Sequence, residues 1–370
     1  MPKIARIEKA VLIGKRPRRL GCNGRIGAHG DRVTDLMAKV YTSDGAVGVG
    51  YGQVKEEEAQ TLIGTEIDDL FRLPTGSTEA GRKLDVPLWD LAAKREGKPL
   101  YQLLGARGSR DVEMYDGSIY IDDLDLTDTE AADLYRDQVR GGQDYGFTNF
   151  KIKIGRGARW MEIMEGLARD ELVIRAIREA AGPDAKILID ANMGNTLNTA
   201  LHILRECADV GIHWFEEPFA EDPAINRAFK EAITEAGWST LVADGEFAPP
   251  ESFFSMVENG WIDVVQQDFR FKSLTWWIET AARIESWGAL CGPHTWGNFT
   301  ERYPHAHFAA SVPHYALLES SPVDVPGLVL DGWEERDGKL IVPDTPGIGF
   351  DIEQSHWESL LKEEGGFVAT

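Results

Sequence analysis

The stretch "NFKIKIGR" sets Lys151 and Lys153 two residues apart, so in an extended strand both ammonium groups lie on one face. Like charges side by side at the end of an apolar run cost stability unless they serve chemistry. A lysine at its ordinary pKa of about 10.4 is a poor base at neutral pH. A neighbouring ammonium and a divalent cation both disfavour its charged form and lower that value toward the range of about 7 to 8 that suits a general base. Lys151 tunes Lys153 on this reading, or the reverse. An isolated pair of this kind is more often two solvated lysines, and what gives this one chemical meaning is the set of acids further along the chain.

Those acids stand at the ends of apolar segments. "AKILIDAN" reaches Asp190, "GIHWFEEP" reaches Glu216 and Glu217, and "TLVADGE" reaches Asp244 and Glu246. Strand parity admits only one of Glu216 and Glu217 to an inward face, and it does not choose between Asp244 and Glu246. Three carboxylates converging from consecutive strands repel one another unless a cation sits among them. All-oxygen ligation points to a hard divalent ion, Mg²⁺ first and Mn²⁺ second, and no paired-histidine motif on a strand suggests zinc. "IDVVQQD" ends on Asp268, "GALCGPHTW" carries His294 and Trp296, and "HYALLESS" carries Glu319. An Asp268–His294 pair makes a second acid/base unit in which the carboxylate fixes the imidazole tautomer and raises its basicity. Trp296 is a candidate substrate contact, whereas His305, His307 and His314 read as packed or solvent-facing. Glu319, if protonated, can donate to a charge-bearing substrate oxygen. Together these parts suggest a metal-chelated carboxylate whose α-proton is removed by a base, with a second base able to return it on the opposite face or to protonate a departing β-hydroxyl.

Positioning such a set requires many strand ends at one place. From about Asp111 the chain repeats strand, loop and helix, and its polar strand-end residues recur roughly 22 to 37 apart, the length of a βα unit in a barrel whose active site gathers at the strand C-termini. An open doubly wound sheet also alternates, but it does not place a polar group at nearly every strand end. The first hundred or so residues differ. "KIARIEKAVLI" and "DLMAKVYTSDGAVGVGYG" alternate as strands, with a turn at Ser43-Asp44-Gly45, and helical patterning follows from Glu56 and through "DVPLWDLAAKREGKPLYQLLG". This describes a small α+β domain ahead of the barrel.

Composition excludes several classes. Asp and Glu number 61 against 39 Lys and Arg, a formal net charge of -22, which disfavours nucleic acid and suits an ordinary acidic soluble enzyme or one from a salty cytoplasm. No apolar run approaches the ~18 residues that span a membrane. The start "MPKIARIEKAVLIG" reads as an alternating strand rather than a secretory leader. Cys22, Cys207 and Cys291 lack metal-type spacing and suit a reducing, cytoplasmic setting as small packed residues.

"KIK", "IDAN", "FEEP", "DGE", "QQD", "GPH" and "LLES", in this order, resemble the enolase superfamily, specifically its mandelate racemase subgroup. The resemblance spans nearly the whole chain. It implies a modified TIM barrel, (β/α)7β, over residues 111–321, and an α+β capping domain from residues 1–110 completed by the tail 322–370. It implies Asp190, Glu216 and Glu246 as Mg²⁺ ligands, Lys153 as base with Lys151 lowering its pKa, Asp268 and His294 as the dyad, and Glu319 as the acid steadying the enediolate. Asn192, two past Asp190, resembles a position that contacts substrate. "LGCNGRIGAHGD" takes the place of the family's specificity loop, where Arg25 and His29 are candidates for the distal end of the substrate. The chain departs from the family at "FRFKSLTWW", which lacks a glycine-rich turn after Asp268, and in a short segment from Glu56 to Arg82. The reaction this favours is dehydration of an aldonate or aldarate to a 2-keto-3-deoxy acid. The alternatives are a racemase or epimerase, a cycloisomerase, or a non-catalytic metal-binding barrel. The expected partner is a small-molecule carboxylate, with no nucleic acid or membrane, in a homo-oligomer.

Overall fold

The alternating N-terminal segments form a long antiparallel ribbon of β1 (Ile4–Leu20), β2 (Gly30–Thr42) and β3 (Val47–Tyr51). The structure is a computed structural model and describes residues 2–370. Gly45, at φ +87°, makes the β2–β3 turn read from Ser43-Asp44-Gly45. The C-terminal strand Phe367–Ala369 adds to the free side of β1, pairing Ile7 with Ala369, so both chain ends share the cap. Helix Asp85–Arg95 buries Leu88, Trp89 and Leu91 against this sheet. Its Asp90 accepts hydrogen bonds from Val49 N and Ile348 N at 2.8 Å each, tying sheet, helix and tail together.

Eight parallel strands follow: β4 (Asp111–Ile119), β5 (Phe150–Lys153), β6 (Ile187–Asp190), β7 (Ile212–Glu216), β8 (Leu241–Asp244), β9 (Val264–Val265), β10 (Leu290–Cys291) and β11 (Leu318–Ser320). Each pairs with the next from β4 to β10. A Cys291–Tyr315 bridge and the pairing of Leu318 with Met114 close the circle. Helices lie between successive strands and none follows β11 to return to the barrel, which is the (β/α)7β arrangement. Local signals start these helices where the chain must turn back. Thr127 and Glu130 form a reciprocal capping box, and Asp222 caps a helix that begins at Pro223. The tail divides: the hairpin Glu334–Arg336/Lys339–Ile341 pairs antiparallel with the start of β4, Lys339 opposite Glu113, while only its last strand joins the cap sheet.

Strand parity sorts the core. Ile187, Ile189, Phe215 and Val242 point outward to the helices, and Tyr115, Leu188, Trp214, Ala243, Val264 and Leu317 form a separate layer inside the barrel. That layer plugs the barrel below the C-terminal strand ends, so what stands above it lines a mouth rather than a pore. Among the described residues no helix is long and apolar enough to cross a membrane.

Candidate active site

Parallel register places Lys153 opposite Asp190, and Asp190 opposite Glu216, so one row at the strand ends carries an amine and two carboxylates. Lys151 lies one inward position deeper, opposite Leu188. Its ammonium faces the Tyr115 ring at 5.3 Å and reaches Glu216 Oε1 at 2.5 Å and Glu319 Oε1 at 2.9 Å. Lys153 Nζ donates to Asp190 Oδ2. Gly117 on β4 leaves room for Glu319, since a Cβ there would stand 2.7 Å from Glu319 Oε1.

Parity alone left the acids of β7 and β8 undecided, and the backbone settles both. Glu216 takes the inward position, yet Glu217, with φ +40°, leaves the strand and also reaches the cavity, where Asn192 Nδ2 donates to its Oε2 at 3.0 Å. The expectation that only one of the two would face the site is corrected on this point, because strand parity ends where φ changes sign. Asp244 is the last residue of β8, on the face opposite Ala243 and beside Glu217 and Glu221. Gly245, at φ +116°, then redirects the chain so that Glu246 joins Asp190 and Glu216, with one oxygen from each within 4.8 Å of the others. Asn192, Met193 and Phe247 also have positive φ, so backbone strain gathers at these strand ends, as at many functional sites.

On the other side of this triad, His294 Nδ1 lies 2.8 Å from Asp268 Oδ1, while Phe247 N donates to Asp268 Oδ2. His294 Nε2 is left toward the cavity, 3.3 Å from Glu246 Oε1 and 3.8 Å from Glu319 Oε2. Thr295 N donates to Glu319 Oε2 at 3.0 Å. His305 and His307 are fully buried, and both are pushed down by burial, to about 3 and about 4, which makes them neutral packed residues.

Among the protein groups alone, burial and the facing carboxylates set the charges of the site. Burial pulls Lys151 and Lys153 down, but Glu216 and Glu319 around the first and Asp190 beside the second hold both above the ordinary lysine range. The lowering by Lys151 acts on Lys153 and is outweighed by Asp190. Burial raises Glu319, and Lys151 and His294 lower it more, for a net downward shift. His294 is lowered by burial and raised further by Asp268 and Glu319, with a net upward shift.

Above these groups opens a cavity of about 610 Å³. Lys153, Glu246 and His294 line it together with Asn192, Arg25, His29 and Trp296. Arg25 stands at the exposed rim, its Nη1 3.3 Å from Met193 Sδ. His29 Nδ1 is held by the Gly21 carbonyl at 3.1 Å. The loop that carries them seats on the barrel, because Cys22 bridges Ile121 and Trp160 Nε1 donates to Asn23 O at 2.7 Å. Sequence reasoning missed Tyr120, Glu221, Phe247 and Arg270 in this lining. Tyr120 stands immediately after the first barrel strand, as several of the charged candidates stand at or just past the ends of theirs, and that position was the available signal.

The acid triad suits a hard divalent cation. All three residues are buried, Glu246 Oε1 has no hydrogen-bond partner, and Glu246 is pushed well above the usual carboxylate range, first by burial and then by the charges of Glu217 and Glu216. Asp190 and Glu216 each hold a lysine while the Glu246 oxygen lacks a hydrogen-bond partner, and the three together are a buried all-oxygen donor set of the kind such an ion takes.

A family model described as Enolase C-terminal domain-like matches residues 134–356. The chain is 30% identical over 288 residues to D-galactarolactone cycloisomerase of Agrobacterium fabrum, covering 73% of this chain and 71% of that one. Among solved structures it resembles galacturonate dehydratase from Geobacillus sp., complexed with D-galacturonate and 5-keto-4-deoxy-D-galacturonate, at 34% identity and a TM-score of 0.94, covering 100% of this chain and 99% of that one. It also resembles a mandelate racemase/muconate lactonizing protein from Geobacillus sp., complexed with magnesium and tartrate, at 34% identity and a TM-score of 0.95, covering 99% and 97%. The chain belongs to the enolase superfamily, in its mandelate racemase/muconate lactonizing subgroup.

Proposed function

We propose that the protein is a Mg²⁺-dependent dehydratase of acid sugars. The observation that carries this is that Lys153 and His294, the latter backed by Asp268, line one cavity together with Glu246 of the Asp190, Glu216 and Glu246 carboxylates. Those three residues would hold Mg²⁺, with Mn²⁺ as substitute. The ion supplies positive charge where negative charge builds on the substrate carboxylate as its α-proton leaves. His294, or Lys153 as the neutral amine it becomes once a cation competes with it for Asp190 and its own proton is lost, takes that proton, and the C–H electron pair becomes the new C=C bond. The β-C–O bond then breaks, and His294, protonated at Nε2, donates to the leaving hydroxyl so that water departs. The resulting enol takes a proton at carbon and becomes the keto acid. Asp268 keeps the His294 proton at Nδ1 and so leaves Nε2 for this exchange. Asn192, Arg25, His29 and Trp296 contact the remainder of the sugar.

Similarity over the full chain to a galacturonate dehydratase supports dehydration, with hexuronates added to aldonates and aldarates as candidates. Cycloisomerisation is the second reading, favoured by the D-galactarolactone cycloisomerase relative; it uses the same pair, as a racemase or epimerase would. The net charge of -22 argues against nucleic acid and anionic membrane as partners, the acid-sugar relatives support a small-molecule carboxylate as substrate, and a cytoplasmic homo-oligomer completes the reading. The test is incubation with Mg²⁺ and a panel of uronates, aldonates and aldarates, with detection of deoxy-keto acids. Turnover of at least one is expected. Deuterium from solvent appearing at the α-carbon without loss of water, or no turnover across the panel, would overturn the dehydratase reading.

A further inference from the structure

One wall of the cavity carries an aromatic stack that the acid/base scheme above does not use. Tyr120, immediately after β4, is 2% exposed. On one side of its ring lies Trp296, 5.0 Å away between centroids with planes 27° apart. Lys153 Nζ stands 5.4 Å from the Tyr120 ring centroid. Against Trp296 the guanidinium of Arg16, in β1 of the cap, lies 4.4 Å from the indole ring. His29 closes the edge of Tyr120 at 4.7 Å. Arg16 is itself buried and anchored through Nη1 to Arg32 O at 3.2 Å.

The column thus runs from the cap through the loop after β10 to the end of β4 and on to the amine at the end of β5. A lysine side chain has four rotatable bonds, and one hydrogen bond does not fix its amine. The Asp190 carboxylate that holds Lys153 also belongs to the acid triad, so its oxygens are shared with any cation bound there. The Tyr120 ring is no part of the acid triad, and an ammonium within about 6 Å of a ring centroid is attracted to its face. Trp296 and Arg16 keep the ring from moving away.

We propose that Tyr120 is a positioning residue whose ring, backed by Trp296 and by Arg16 of the cap, fixes the Lys153 amine at the cavity wall. The proposal rests on the reading of Lys153 as an acid/base group. It links cap seating to catalysis, since Arg16 lies in the cap sheet and Lys153 in the barrel, and this stack joins them.

The experiment combines crystal structures with Mg²⁺ and steady-state kinetics on D-galacturonate for Tyr120→Phe, Tyr120→Leu, Arg16→Leu and the Arg16→Leu/Tyr120→Leu double variant. In Tyr120→Leu the Lys153 amine should lose its fixed position and kcat should fall about 10- to 100-fold, with KM changed less than about three-fold. Tyr120→Phe, which keeps the ring, should restore both the amine position and kcat. Arg16→Leu should lower kcat less, and the double variant should cost no more than Tyr120→Leu alone. Arg16→Leu removes only the far end of the column and carries the test should Tyr120→Leu not fold. An undisplaced Lys153 in Tyr120→Leu, additive losses in the double variant, or a Tyr120→Phe as impaired as Tyr120→Leu would overturn the proposal. The last outcome would make the hydroxyl, not the ring, the working part. Absence of wild-type turnover would bear on the assigned reaction, whereas the Lys153 position still decides the positioning role.

Discussion

His294 presents Nδ1 to Asp268 Oδ1 at 2.8 Å, and that contact determines which ring nitrogen meets the cavity. With the Nδ1 proton directed at the carboxylate, Nε2 is free to exchange a proton with substrate. Asp268→Asn keeps the shape but presents an amide that can favour the other tautomer. We expect kcat to fall about 10²- to 10⁴-fold with the fold intact. Kinetics alongside a thermal melt check this, and an Asp268→Asn variant with unchanged kcat would refute the role of the pair.

Lys153→Ala and His294→Asn should each lower dehydration by about 10²- to 10⁴-fold. They should differ in isotope exchange: only the variant that retains the proton-abstracting group still washes deuterium from solvent into the α-carbon of recovered substrate. Mass spectrometry of that substrate identifies the base. Equal exchange in both variants would show that neither is the unique base.

Metal dependence can be read without turnover. In chelator-treated protein, Mg²⁺ added at about 100 times its dissociation constant should stabilise the fold by about 2.7 kcal/mol. Glu246→Gln, which weakens the set of Asp190, Glu216 and Glu246 oxygens, should need far more Mg²⁺ for the same rise in Tm. An equal response in both proteins would place the ion elsewhere.

Gly117 is tested by adding one carbon. A Cβ there meets Glu319 Oε1 at 2.7 Å, closer than real contacts allow, so the carboxylate must move off Lys151 and Thr295. Gly117→Ala should lower kcat about 10-fold or more while the protein still folds. A wild-type rate would show that the position of Glu319 does not matter.

A buried joint between cap and barrel makes stability depend on pH. Asp35 of β2 is fully buried and accepts from Phe299 N and Thr300 N, and burial pushes its carboxyl up to about 7. Nearby Glu301, which accepts from Asn298, is raised to about 8 by burial. A carboxyl raised on folding binds its proton more tightly in the folded state, so its ionisation costs stability as pH rises from the ordinary carboxylate value of about 4 to the folded value of about 7 or 8. Tm should therefore decline over that window. Asp35→Asn and Glu301→Gln should gain Tm relative to wild type at roughly pH 9 and show no gain at roughly pH 5. A gain that is the same at both would exclude the ionisation as its cause.

Much of the site was legible in the order of short motifs because strand parity and βα spacing are local properties. Asp190 follows Leu188 inward and Glu216 follows Trp214, as any strand of period two requires. Spacing along the chain likewise marked the strand ends that carry Asp268, His294 and Glu319. The barrel itself followed from that repetition, since parallel strands joined by helices bury both faces only in a few arrangements.

What could not be read locally begins where the strands stop. Gly245 and Glu217 leave the β region with positive φ, and this decides that Glu246 joins the triad and that Glu217 shares the cavity. Protonation states also wait on the fold, because Lys153 and Glu319 are governed by partners on other strands. The stack of Arg16, Trp296 and Tyr120 joins segments more than a hundred residues apart. The sequence determines which side chains each strand end offers; only the closed barrel and its seated cap determine which of them meet, because that depends on distances between segments that are far apart along the chain.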